Sequence, residues 1–336
     1  MFKKSLMKLG AAPTALAVVL ACAPSAEAVE KWNFISVLPS GNFQVQNAEA
    51  FAKAVGEATG GEVVITVHPG GGLGYKGPEL LGAVRDGLVE VADIQMNQQI
   101  GEDPFFGIES LPFLATNYDD LKRLQSLTRP HFDEIATKFN QKLLYVTPWP
   151  PQNVFSKTRV KDSLDDFKPL SIRTIDKNAT DFFAQLGAKP VQMPWGEVIP
   201  SLASGVLNAV STSSTSAVDG RFWEFIKEFN QIGWQMNSQM VTVNLDAWNK
   251  LSPEHQKAIE ELAARMEEEF RQNSIAEDDK NIALLRENGM NVNEPTDNLR
   301  EQLRKVGETF WDDFSKSVGP RAEDVLSKYL TNTDAK

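Results

Sequence analysis

The residue in this sequence best placed to do chemistry is Arg173. It ends the apolar stretch Leu170-Ser171-Ile172-Arg173, which reads as a strand, and comes just before helical spacing from Asn178 to Leu186. A side chain there emerges at a strand end, where open α/β lobes present ligands. A guanidinium can grip a carboxylate with two parallel charge-assisted bonds, and its charge does not change near neutral pH. Arg173 could equally be structural, paired with an acid such as Asp176 or Glu197, and the residues alone leave both roles open. The rings Phe43, Trp149, Trp195, Phe222, Trp223 and Trp234 are candidate walls for a pocket. Most aromatic side chains are core, so Trp149 beside a proline run and Trp195 at a helix start stand out as the better candidates.

Nothing else in the chain assembles a catalytic site. The three histidines, His68, His131 and His255, fall in no HExxH pattern, and there is no GxSxG elbow and no GxxxxGK[ST] loop. The run from Ser211 to Ser216 offers hydroxyls but no sequence-local base that would activate one. The glycine-rich loop His68-Pro69-Gly70-Gly71-Gly72-Leu73-Gly74 lacks the Lys-Ser/Thr pair of a phosphate cradle and reads as a tight turn. Acidic clusters at Asp119-Asp120, Asp165-Asp166 and Glu267-Glu268-Glu269 read as solvated charge. The expectation is a binding protein rather than an enzyme, with no cofactor and no metal.

The elements that must position Arg173 begin after a segment that reads as an export signal. Lys3, Lys4 and Lys8 precede an apolar run from Ala11 to Cys22, and Ala26-Glu27-Ala28 has the small residues a signal peptidase needs. Residues 1–28 are therefore expected to be a signal peptide that directs the chain to the periplasm. The run is too short to span a bilayer. Cys22, the only cysteine, is either removed with the signal or, in a lipoprotein-type cleavage, becomes the lipidated first residue. The remaining 308 residues carry 31 basic and 44 acidic side chains, a net charge of −13 that argues against nucleic acid as a partner. That length exceeds what one core usually serves, so two lobes are expected, with the ligand between them.

Strand and helix patterns then alternate. Strands are expected at Trp32–Val37, Glu62–Pro69, Val91–Ile94, Lys142–Thr147, Ser171–Thr174 and Lys189–Met193. Helices are expected at Phe43–Thr59, Pro78–Asp86, Tyr118–Phe139, Asn178–Leu186 and Trp195–Ala203. The fold class is α/β. Pro148-Trp149-Pro150-Pro151 is rigid and extended and suits a crossing between lobes. Ser211–Ser216 reads as an ordered loop, and the strand-like Gln239–Leu245 as a return to the first lobe. A helix from Pro253 to about Glu287 is long enough to brace both lobes, and further helices run from about Pro295 to Leu330. The division expected is 29–150 plus about 239–280 for one lobe, and 151–238 plus about 281–330 for the other.

Several of these stretches together resemble one family, the solute receptors of tripartite ATP-independent periplasmic (TRAP) transporters, of the dicarboxylate-receptor type. Leu164-Asp165-Asp166-Phe167-Lys168-Pro169-Leu170-Ser171-Ile172-Arg173 resembles the segment leading to that family's ligand arginine. Leu186-Gly187-Ala188-Lys189-Pro190-Val191, Met193-Pro194-Trp195-Gly196-Glu197-Val198 and Ser204-Gly205-Val206-Leu207-Asn208 resemble the family's strand and helix beyond that arginine. Further likenesses are Leu73-Gly74, Leu111-Pro112-Phe113, Ala247-Trp248 and Leu251-Ser252-Pro253. The resemblance implies a two-lobed α/β receptor that closes on its ligand, a long bracing helix, no catalysis, and Arg173 as the carboxylate grip. It also implies partners: a small and a large membrane subunit that import the solute with a sodium gradient. The chain departs from the family pattern at Asn208-Ala209-Val210-Ser211-Thr212-Ser213, where Thr212 takes the place of a ligand-touching asparagine, with Ser213 beside it. Gln152, next to Asn153, stands where some relatives carry a second cation. One arginine among hydroxyls and amides points to a small organic anion with one carboxylate, such as a hydroxy or keto acid. The rival readings are a same-fold receptor for another import or sensing system, and an exported enzyme.

Overall fold

The computed structural model describes Met1 and residues 29–331, so the expected signal peptide and its Cys22 lie, Met1 apart, outside the described residues. In chain order the strands are β1 (Glu30–Ile35), β2 (Val63–His68), β3 (Val91–Gln95), β4 (Gln141–Pro148), β5 (Gln152–Ser156), β6 (Ser171–Thr174), β7 (Lys189–Gln192), β8 (Ala209–Thr212), β9 (Glu228–Gln235), β10 (Ser238–Asn244) and β11 (Asn291–Asn293). The helices are α1 (Phe43–Ala58), α2 (Leu80–Arg85), α3 (Tyr118–Lys138), α4 (Lys177–Gln185), α5 (Val198–Ala203), α6 (Ser214–Asp219), α7 (Leu245–Trp248), α8 (Pro253–Glu287), α9 (Asp297–Val318) and α10 (Pro320–Thr331).

The strands form two sheets, one per lobe. The first has the order β2-β1-β3-β10-β4 and the second β11-β9-β5-β8-β6-β7. In the first, β1 runs parallel to β2 and β3, while β10 runs antiparallel to β3 and β4. In the second, β6 runs parallel to β7 and β8, and β5 antiparallel to β8 and β9. The alternation of apolar side chains along the strands separates two cores in the first lobe. Trp32 and Phe34 of β1 pack with α1 and α8, whereas Ile35, Ile94 and Val146 pack with α2 and α3. The two-lobed α/β architecture is thus the one expected from the strand-helix alternation.

Four backbone passages join the lobes. β4 continues through Trp149-Pro150-Pro151 into β5, and β9 returns through Met236-Asn237 into β10. The Trp149 amide donates to the Asn237 carbonyl at 2.8 Å, so these two passages run side by side as one ribbon. The third passage is α8, 35 residues and about 52 Å long. Ser252 caps it by accepting from the His255 amide, and Pro253 occupies its first turn, where no amide partner is needed. Ile259, Leu262, Met266 and Phe270 bury in the first lobe, and Leu285 in the second.

The fourth passage corrects the expected division of the chain. Leu299 and Leu303 of α9 lie in a second-lobe core, but Phe314 and the α10 residues Ala322, Val325, Leu326 and Tyr329 lie in the first-lobe core with α3. The amphipathic stripe of α10 shows that it buries a face, but not against which lobe. Ser211–Ser216 is not a loop: it ends β8 and begins α6, capped by Ser213, whose hydroxyl accepts from the Ser216 amide. Its hydroxyls mask the buried, β-branched and cap positions they occupy.

The carboxyl of Asp93, on β3, is buried; one oxygen accepts from Ser36 Oγ at 2.7 Å and the other has no partner among the described residues. Burial pushes its pKa up to about 8, against a weaker opposing effect from Ser36. The folded state then holds more protons than the unfolded state between about pH 4 and pH 8, so stability falls as pH rises through that window. Asp93→Asn should remove this slope and stabilise the protein at pH 8 by an amount on the order of a few kcal/mol, measured by melting across pH.

Candidate functional site

Arg173 sits on β6, paired with Val191 of β7 and Val210 of β8. Its neighbour Ile172 points into one second-lobe core, so alternation turns Arg173 to the opposite face of the sheet, the face of its register partner Val210. The side chain is nonetheless only 2% exposed. Nε donates to the Met193 carbonyl at 3.1 Å, the guanidinium carbon lies 6.0 Å from the Trp195 ring centre, and Nη2 is buried with no partner among the described residues. Burial lowers its pKa to about 10, with Asp176 pulling the other way, so the charge persists at neutral pH.

The acids that might have neutralised Arg173 are occupied elsewhere. Asp176 caps α4 by accepting from the Ala179 amide at 2.7 Å, and also accepts from Asn97 of the opposite lobe. Its own pKa is pushed up to about 6, mainly by burial. Glu197 lies 3.9 Å from Lys76, again across the lobes. Neither makes an ion pair with Arg173, although Asp176 is close enough to act on its charge.

Arg173 opens onto an interlobe cavity of about 60 Å3. Thr212, Ser213, Trp195, Trp149 and Gln152 line it too, bringing together six of the eight residues singled out from the sequence. The other two stand off it. Phe43 packs edge-on behind Trp149, with ring centres 5.5 Å apart at 85°. Asn153 ties the second sheet together, accepting from the Gly233 amide at 2.9 Å and donating to the Pro151 carbonyl at 3.0 Å.

Residues that sequence reasoning missed complete the lining. Gln239 and Asn237 come from the returning passage, Gln95 from β3, and Asp219 from the end of α6. Trp149 Nε1, Asn237 Oδ1 and Gln239 Oε1 are, like Arg173 Nη2, buried and without partners among the described residues. Buried polar atoms are ordinarily paired, and here two donors and two acceptors are left over around one cavity. The signal for Gln239 was available: a buried amide in the otherwise apolar strand Met240-Val241-Thr242-Val243. For Asp219 there was none, because the Ser/Thr run hid the helix that carries it. Among the described residues Arg173 is the only cation and Asp219 the only acid in the lining, and no histidine lines it. Among the described residues no cluster of His, Cys, Asp and Glu could hold a metal ion, and no helix is long and apolar enough to cross a membrane.

Comparison with known proteins places the chain as a whole. Residues 34–317 match the family described as DctP, bacterial extracellular solute-binding protein, family 7. The chain belongs to that family. Among curated relatives, the sialic acid-binding periplasmic protein of Vibrio cholerae is 22% identical over 291 residues, covering 86% of this chain and 88% of the relative. Among solved structures, a Bordetella pertussis extracytoplasmic solute receptor binding pyroglutamic acid is 30% identical, with a TM-score of 0.86 over 90% of this chain and 99% of its own. A TRAP solute-binding protein from a marine metagenome, specific for pyroglutamate, is 27% identical with the same TM-score and coverage. The family resemblance read from the motifs around Arg173 is thereby established, and with it the class of solute-binding receptors for TRAP transporters.

Asn153 and the cavity residues should separate in their effects. Asn153→Ala leaves the Gly233 amide without its acceptor and should cost about 1–2 kcal/mol of stability by chemical denaturation, while ligand affinity by calorimetry stays within about twofold.

Proposed function

We propose that this family member is a periplasmic receptor that captures a small monocarboxylate between its lobes. It holds the carboxylate through Arg173 and delivers the acid to the small and large membrane subunits of a TRAP transporter for sodium-driven import. The observation that carries this reading is the buried guanidinium with an unspent Nη2 donor, the sole cation lining the cleft. A carboxylate supplies both the acceptor and the countercharge, and a bidentate pair is the geometry arginine favours.

A second carboxylate would find no second cation in the lining and would meet Asp219. The rest of the ligand is therefore expected to be compact, uncharged and able to hydrogen-bond with amides, hydroxyls and an indole N–H. Pyroglutamate, bound by the Bordetella and metagenome receptors, has that form: one carboxylate and one lactam. The hydroxy and keto acids expected from the sequence share the single carboxylate but lack the ring N–H.

Melting shifts over a library of organic acids test this. Pyroglutamate or a close analogue should stabilise the protein, by about 2.7 kcal/mol at a hundredfold excess over its Kd. Arg173→Ala should weaken binding at least about 100-fold without unfolding the protein, and Arg173→Lys should restore it only in part, since a point charge does not replace a planar fork. Stabilisation by dicarboxylates alone would sink the monocarboxylate reading, and full affinity in Arg173→Ala would sink the clamp.

A further inference from the structure

An acid in the wall of an anion-binding cavity requires an explanation, because it repels the charge that Arg173 attracts. Asp219 is such an acid. It ends α6 in the second lobe and lines the same cavity as Arg173. Its Oδ2 accepts from Asn42 Nδ2 at 2.7 Å, across the lobe boundary. Asn42 is held in place as the cap of α1, where its Oδ1 accepts from the Gln44 amide. Oδ1 of Asp219 makes no hydrogen bond among the described residues. Two other lining residues, Asn237 and Gln239, carry buried acceptors, Oδ1 and Oε1, that have no partner among the described residues. Three acceptors in the wall call for donors on the ligand.

We infer that Asp219 is a specificity-determining residue. Its free oxygen accepts an N–H from the part of the ligand remote from the carboxylate, so the receptor selects acids that carry a donor and rejects analogues that lack it. The inference rests on the monocarboxylate reading of Arg173 and sharpens it from a small acid to a donor-bearing acid, of which a lactam acid is the simplest that fits. The Asn42 bond adds a second consequence. The carboxylate that reads the ligand's N–H also holds the first lobe, so the group that discriminates is itself part of the closed cleft. Burial raises the Asp219 pKa and the Asn42 bond opposes this, which fits a carboxylate that gains from a further donor.

A site built to bond an N–H discriminates strongly against an isostere lacking it, because its acceptor is left buried and unpaired. Three ligands read this out by calorimetry on the full chain: L-pyroglutamate, the lactone with ring oxygen in place of N–H (5-oxotetrahydrofuran-2-carboxylate), and the carbocycle with CH2 there (3-oxocyclopentane-1-carboxylate). The wild-type protein should prefer the lactam over either analogue by about 30-fold or more. In Asp219→Asn the amide can turn its N–H toward the ring oxygen, so the lactam-to-lactone ratio should collapse to about fivefold or less. The carbocycle gains nothing from that change. Melting curves and circular dichroism of the unliganded variant show whether it folds, and Asp219→Ala serves in its place if Asp219→Asn does not.

Equal wild-type affinity for lactam and lactone overturns the inference, as does a wild-type ratio preserved in a folded Asp219 variant. If another monocarboxylate proves to be the ligand, the same ratio is taken against its analogue with the donor methylated or deleted. A ligand with no donor at all refutes the role of Asp219 while leaving Arg173 standing. Failure of every carboxylate to bind, or undiminished binding in Arg173→Ala, overturns the reading beneath it and this inference with it.

Discussion

A guanidinium buried with one donor unspent is the constraint on which the rest of the cleft depends. Burial lowers the Arg173 pKa to about 10, with Asp176 opposing it, so the folded protein holds this charge against a desolvation cost. Breaking a buried charge pair is costly because it strands the remaining charge, and here the protein strands it by construction. Asp176 and Glu197, the nearest candidates for neutralising it, are committed to a helix cap and to the opposite lobe. In the proposed role of Arg173 the countercharge comes from the ligand, and much of the desolvation cost of binding is already borne in the folded state.

The arrangement works only if two lobes can meet around that charge. The paired passages at Trp149 and Asn237 form a ribbon that is both connection and pocket wall, since both residues line the cavity. Across the cleft run the bonds Asn42–Asp219 and Asn97–Asp176 and the ion pair Lys76–Glu197. These contacts link one lobe to the other across the cleft. α8 limits how the lobes move, because its buried residues are divided between them.

Much of this was legible in the chain. The strand and helix periodicities of the first lobe, the proline-rich crossing and the long braced helix arise from local pattern and capping chemistry, which act over a few residues. The features that were not legible share one cause. Strands β5, β8 and β9 are polar runs, Gln152-Asn153, Ser211-Thr212 and Asn230-Gln231, whose burial depends on partners far away in sequence. Asn153 looks like a pocket residue beside Gln152, yet successive strand residues face opposite ways, and it is the ladder's register that puts one in the cavity and the other against Gly233. α10 has a clear apolar face, but nothing local says that α3, some 200 residues earlier, receives it.

The sequence by itself determined the α/β class, the two-lobed plan and the family, and singled out Arg173 as a candidate, because motif, periodicity and side-chain chemistry are carried by neighbouring residues. Only the tertiary structure decided that Arg173 has no ion-pair partner among the described residues, that Asp219, Asn237 and Gln239 share its cavity, and that α10 packs in the first-lobe core. Those facts concern pairs of groups brought together across the chain, and a charge's partner or a buried atom's satisfaction is a property of distance in space, which spacing along the backbone does not encode.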